Sequence, residues 1–96
     1  MNPLSDTAAL AESLERDLMA RYGPLISNDD LRQALGYVSM EAFRQALSRK
    51  TAPVPVFSVA NRRGKYALTK DVAAWLAAQR MDAVTNPQNR KRKSVA

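Results

Sequence analysis

Residues 27 to 50, SNDDLRQALGYVSMEAFRQALSRK, carry two helix starts and one helix stop within a short span. That punctuation leaves room for little besides two short helices joined by a tight turn. Ser27 can accept a hydrogen bond from a free backbone N–H of a first helical turn, and Asp29 and Asp30 follow where the helix dipole favours negative charge. Leu31, Ala34 and Leu35 recur at spacings of three and four, and Gly36 can take the left-handed backbone that closes a helix. A first helix is therefore expected over residues 28–35. After Tyr37 and Val38, Ser39 offers a second cap. The helix behind it, expected over residues 40–50, has Met40, Phe43, Ala46 and Leu47 on one side and Glu41, Arg44, Gln45, Ser48 and Arg49 on the other. Two readings fit the stretch alone: a helix-turn-helix whose second helix enters the DNA major groove, or an ordinary helical hairpin with a solvated face.

The next segment, TAPVPVFSVANRRGKYALT over residues 51–69, changes from helical to extended. Pro53 and Pro55 forbid helix there and bias Ala52 and Val54 toward extended backbone. Residues 56–59 and 65–68 form two β-rich runs, and Asn61 and Gly64 supply hairpin turn chemistry between them. A period of two puts Phe57 and Val59 on one inward face with Tyr66 and Leu68. Arg62, Arg63 and Lys65 then remain at the outward tip. Three cations on one short turn repel each other, and a bound phosphate gives a reason for them. Exposed hairpin tips also tolerate charge for no further purpose.

Flanking helices are expected on both sides. Residues 5–21 read as a helix capped by Ser5 and stopped by Gly23 and Pro24, with Leu10, Leu14 and Leu18 as one narrow stripe beside the acidic Glu12, Glu15 and Asp17. The stripe suits packing on the domain core or pairing with a second copy. Residues 69–81 read as a helix capped by Thr69, with Val72, Ala73, Trp75, Leu76 and Ala77 presenting a broad apolar face on which Trp75 is a core anchor. From Met81 periodicity is lost, and Arg90, Lys91, Arg92 and Lys93 form a basic block too dense to pack. A disordered tail is expected there, either lying along DNA phosphates or merely solubilising.

The net charge of +6 is polarised along the chain: residues 1–36 carry three basic and six acidic side chains, and residues 37–96 carry twelve basic and three acidic. A polyanion would meet the second part and be repelled by the first. A generally basic, solubilising surface is the plainer reading. The chain has no cysteine and no histidine, which removes thiolate nucleophiles, imidazole bases and the usual zinc sites. The carboxylates are accounted for by helix starts and a solvated face, and no Gly-rich phosphate loop is present. No enzyme activity, catalytic residue, cofactor or metal is expected. The apolar runs are far shorter than the roughly 20 residues of a membrane span, and the N-terminus lacks a signal peptide's basic start. The expectation is a soluble, cytoplasmic protein without a membrane partner.

Taken together, the order of elements from Gly23 to Arg80 resembles the small MerR-like winged helix-turn-helix proteins of the AlpA and excisionase group. The likeness rests on the proline-rich entry with Pro53 and Pro55, the Arg62-Arg63 wing, and the stretch Asp71-Val72-Ala73-Ala74-Trp75-Leu76. The recognition helix, SMEAFRQALSRK, aligns closely with no particular member, and the acidic helix of residues 5–21 is an addition to the minimal domain. The resemblance implies double-stranded DNA binding in phages, plasmids and integrated elements, to regulate transcription or to direct a recombinase toward excision.

The fold expected is therefore mainly α with a small β-hairpin: an N-terminal acidic helix in residues 1–22, a winged helix-turn-helix in 23–82 and a basic tail in 83–96. Arg44, Gln45, Ser48 and Arg49 would face base edges and flanking phosphates. Arg can read guanine and Gln adenine through two hydrogen bonds. Ser39 and Tyr37 would border a phosphate at the helix N-terminus. Arg62, Arg63 and Lys65 would hold the neighbouring backbone or enter the minor groove, and residues 90–93 would add phosphate contacts. A homodimer, a cooperative array on DNA and a recombinase are the further partners considered. The competing reading is an adaptor that holds a protein or structured RNA through the same surface.

Overall fold

The computed structural model describes residues 3–85, with side chains from Thr7 onward. The elements in order are α1 (Pro3–Tyr22), β1 (Leu25–Ser27), α2 (Asn28–Leu35), α3 (Met40–Ser48), β2 (Tyr66–Leu68) and α4 (Thr69–Thr85). Among the described residues the chain is mainly helical with one small antiparallel sheet of two strands. Among the described residues no helix is long and apolar enough to cross a membrane.

Helix α1 begins at Pro3, so Ser5 lies inside the helix rather than at its cap. Proline suits a first turn because its missing N–H would have no partner there. At the other end Gly23 takes φ 78° and its N–H donates to the Met19 carbonyl at 2.9 Å, which turns the chain out of the helix. The leucine stripe is used within the chain: α1 packs along α4, Leu18 joins the core, and Leu10 lines a surface cleft with Ala77, Met81 and Val84 of α4. Ala73 and Ala77, one turn apart and fully buried, keep that face of α4 narrow enough for close approach.

The two strands lie some 40 residues apart in the chain. Leu25 pairs with Leu68, Ile26 with Ala67 and Ser27 with Tyr66. Ile26 and Ala67 point inward and are buried, whereas Tyr66 and Leu68 are only partly covered. The inward face is thus the reverse of the one expected, since Phe57 is exposed and Ala67 has no exposure. The expected hairpin between residues 56–59 and 65–68 shrinks to a single bridge, Phe57 with Tyr66, whose two backbone hydrogen bonds are both 2.8 Å. Extending the bridge toward the end of β2 would set Pro55 opposite Leu68, and proline has no N–H to give to the ladder.

The core gathers Ile26, Leu31, Leu35, Phe43, Val54, Ala67 and Val72 beneath α2 and α3, with Trp75 and Leu76 of α4 packed against it. Trp75 is half-buried there. Thr69 was expected as a helix cap; it is fully buried and its hydroxyl instead donates to the Gly23 carbonyl at 2.6 Å, while its N–H donates to the Pro24 carbonyl at 2.9 Å. Helix α4 runs to Thr85, a turn beyond the expected end at Met81. Nothing between Met81 and Thr85 breaks a helix, and the first breaker is the Asn86-Pro87 pair.

Candidate nucleic-acid interface

Helix α2 matches its expected span, but its start is built differently. Ser27 has extended backbone at the cap position and its side chain makes no capping bond. The turn out of β1 is made by Asn28, whose φ is 50°. Asparagine tolerates this left-handed region better than most side chains. Asp29 sits in the first turn as expected and is held from two sides, by Arg32 Nε at 2.7 Å and Gln33 Nε2 at 2.9 Å. The Arg32 hydrogen bond holds the Asp29 carboxyl below the usual carboxylate range, and the same pair raises Arg32.

The turn after α2 is closed by Gly36 at φ 86° and braced by Arg32, whose Nη1 donates to the Tyr37 carbonyl at 2.8 Å. The Tyr37 ring packs on Phe43 with centroids 5.4 Å apart and planes tilted by 31°, so it braces α3 against the core. Val38 at the tip of the turn is 91% exposed. Ser39 then caps α3 as expected, its Oγ accepting from the Ala42 N–H at 3.1 Å.

Along α3, Phe43 and Ala46 are buried while Glu41, Arg44, Gln45 and Ser48 lie exposed on the opposite face. The helix ends at Ser48, two residues before the expected limit: Arg49 is its C-cap and Lys50 turns the chain at φ 57°. Arg49 therefore stands exposed at the end of the face rather than within it. Glu41 is the acidic member of this face, at its N-terminal end.

The basic loop follows the same surface. The Arg62 N–H donates to the Val59 carbonyl at 3.1 Å, with Asn61 at φ 62° and Gly64 at φ 98° shaping the loop. The Tyr66 hydroxyl donates to the Arg63 carbonyl at 2.9 Å, and Lys65 Nζ reaches Ser58 Oγ at 3.5 Å. Arg62, Arg63 and Lys65 are all exposed. Between this loop and α3 lies an open cleft of about 390 Å³ with an apolar floor of Met40, Phe43 and Leu47. Arg44 borders it from α3 and Lys65 from the loop. Among the described residues, the side chains of Arg44, Gln45, Ser48, Arg49, Arg62 and Arg63 enter no hydrogen bond or ion pair.

The structure thus brings Arg44 and Lys65 to one cleft and leaves Gln45 and Ser48 on the adjoining helix face. The basic block Arg90, Lys91, Arg92 and Lys93 lies outside the described residues. Two residues without an expected role contribute to the site: Arg32, which braces the turn, and Asn28, which joins α2 to the basic loop through its N–H to the Lys65 carbonyl at 3.0 Å. An asparagine at the junction of an apolar run and a helix was the visible signal for the second. Among the described residues no group of three or more acidic side chains is placed to hold a metal ion. Comparison of the chain with protein-family models, with curated proteins and with solved structures finds no match in any of the three.

Proposed function

We propose that this chain binds double-stranded DNA sequence-specifically as a winged helix-turn-helix, with α3 in the major groove and the loop of residues 61–65 on the adjoining backbone or in the minor groove. The observation that carries the reading is that Arg44 from α3 and Lys65 from the loop line one largely apolar cleft. Two segments far apart in sequence present cations with no acidic partner to a common groove, which suits a sugar–phosphate strand: cations for phosphate, an apolar floor for deoxyribose. The exposed Gln45 and Ser48 beside it supply hydrogen-bonding groups for base edges.

The role we assign, from the resemblance of residues 23–80 to the AlpA and excisionase group, is that of a mobile-element regulator, an excision factor or both. No reaction is assigned. Asp29, in the first turn of α2, is occupied by Arg32 and Gln33.

The test is to mix the purified protein with sheared source-genome DNA at near-physiological salt, recover what it holds and sequence it. Sharp enrichment at a few loci is expected. Promoter loci would favour the regulator, and the ends of an integrated element the excision factor. Uniform recovery, or none, would overturn sequence-specific binding and leave the adaptor reading in its place.

A further inference from the structure

Within its own hairpin the basic loop is held by the single Phe57–Tyr66 bridge, the Arg62 to Val59 turn bond, the Tyr66 hydroxyl on the Arg63 carbonyl and the long Lys65 Nζ to Ser58 Oγ contact. Its three cations repel one another, so a second tether is needed to keep them in one place. Asn28 supplies it. Its backbone N–H donates to the Lys65 carbonyl at 3.0 Å, and its Oδ1 accepts from the Lys65 N–H at 3.2 Å. One residue therefore satisfies both main-chain groups of Lys65, 37 positions away in the chain.

Two further features are fitted to this clasp. Asn28 adopts φ 50°, a backbone that costs a non-glycine residue free energy and persists only where the surroundings fix it. Gly64 has no side chain where the Asn28 carboxamide lies; a Cβ there would overlap Oδ1 and its neighbours. Asn28 also begins α2, which Arg32 braces to α3 through Tyr37. A rigid path thus joins the loop to the helix face carrying Arg44 and Gln45.

Resting on the DNA reading above, we infer that Asn28 is the positioning residue of the wing: it lines the same cleft as Arg44 and Lys65, and through Lys65 it sets where Arg62, Arg63 and Lys65 stand relative to α3.

The test uses the full chain with Asn28→Gly and Asn28→Asp. Glycine accepts φ 50° freely and keeps the N–H bond but removes the Oδ1 acceptor. Aspartate keeps an acceptor oxygen and tolerates the same backbone. In Asn28→Gly, NMR order parameters of residues 62–65 should fall while those of α3 stay unchanged, and Asn28→Asp should restore them. With duplex DNA, Asn28→Gly should weaken binding to preferred and random sequences alike by about 3- to 10-fold, the scale of one hydrogen bond. The salt slope should flatten by roughly 1, one phosphate contact.

Unchanged loop order in Asn28→Gly would overturn the clasp. A loosened loop with an unchanged salt slope would overturn its role toward DNA while leaving the DNA reading intact. A wild-type protein that holds no duplex would overturn the DNA reading itself and the positioning role with it, whatever the loop does.

Discussion

Arg32 and Tyr37 are bonded to each other twice: Arg32 Nη1 donates to the Tyr37 carbonyl at 2.8 Å, and the Tyr37 N–H donates to the Arg32 carbonyl at 3.1 Å. The pair spans Gly36 and closes the turn between α2 and α3. A charged donor on a main-chain acceptor is stronger than a neutral pair, so this side chain does more than decorate a helix. It fixes the angle at which α3 leaves α2.

Replacing it should therefore loosen the turn before it harms the core. Arg32→Met keeps the apolar stem and removes the donors. The expected result is a thermal midpoint lower by a few degrees with helix content retained, checked by circular dichroism. Loss of helical signal at low temperature would show that Arg32 supports the whole fold instead.

Acid should act on the same turn from the other side. Because Arg32 lowers the pKa of Asp29, the ion pair stabilises the native state above the ordinary carboxylate range and ceases to do so as pH falls through the depressed value. Asp29 is exposed, so the effect is small and screened by salt. Unfolding midpoints followed down through the acid range should fall more in wild type than in Asp29→Asn. Parallel curves would show that the ion pair contributes nothing.

Variants at the cap of α3 should separate stability from the proposed DNA affinity. Ser39→Ala removes an acceptor from the Ala42 N–H and should cost about 1 kcal/mol, equivalent to roughly 4–8 °C in a chain of this size. Ser39→Asp should keep the cap and the stability, yet place a negative charge where a phosphate would sit and weaken DNA binding. Equal affinity in Ser39→Asp and wild type would move the phosphate away from this helix end.

What the sequence disclosed follows from which interactions are local. The α2 span, Gly36 as its stop and the Ser39 cap were legible because each rests on residues within four positions of one another. The outward face of α3 was legible for the same reason: once Phe43 and Ala46 are buried, the period of 3.6 exposes Arg44, Gln45 and Ser48. The sheet was not. The partner of Tyr66–Leu68 lies some 40 residues back at Leu25–Ser27, and a run of three residues too short to show alternation gave no sign of it. That one pairing set the inward face of β2, with Ile26 and Ala67 buried together. The partner of Asn28 was hidden for a related reason, since Lys65 lies 37 residues away. No comparison with known proteins supplied these pairings.

Thr69 offers a stability test that leaves the candidate interface alone. It is fully buried, and its hydroxyl satisfies the Gly23 carbonyl at the junction of α1, β1 and α4. Thr69→Val preserves shape but strands that acceptor, and should cost about 1–3 kcal/mol in urea denaturation. The salt slope of DNA binding should not change. Stability within error of wild type would mean that water replaces the hydroxyl.

The decisive pair of variants sets base readout against backbone holding. Gln45 is exposed at the centre of the α3 face and free of protein partners among the described residues. If it reads a base, Gln45→Ala should weaken the preferred site by about 1–3 kcal/mol and spare random DNA. Arg62 and Arg63 stand exposed on the loop, and on the proposed reading they would meet phosphates or the minor groove. Their joint replacement by alanine should weaken preferred and random duplexes together and reduce the salt slope by about 2. Binding curves over a range of salt, on both kinds of duplex, distinguish the two patterns. Should Gln45→Ala leave the preference untouched, α3 would have to be rotated about its axis to bring Ser48 or Arg49 to the bases. Should the double change alter preference and not slope, the loop would be reading sequence, and the division of labour argued for the two elements would be reversed.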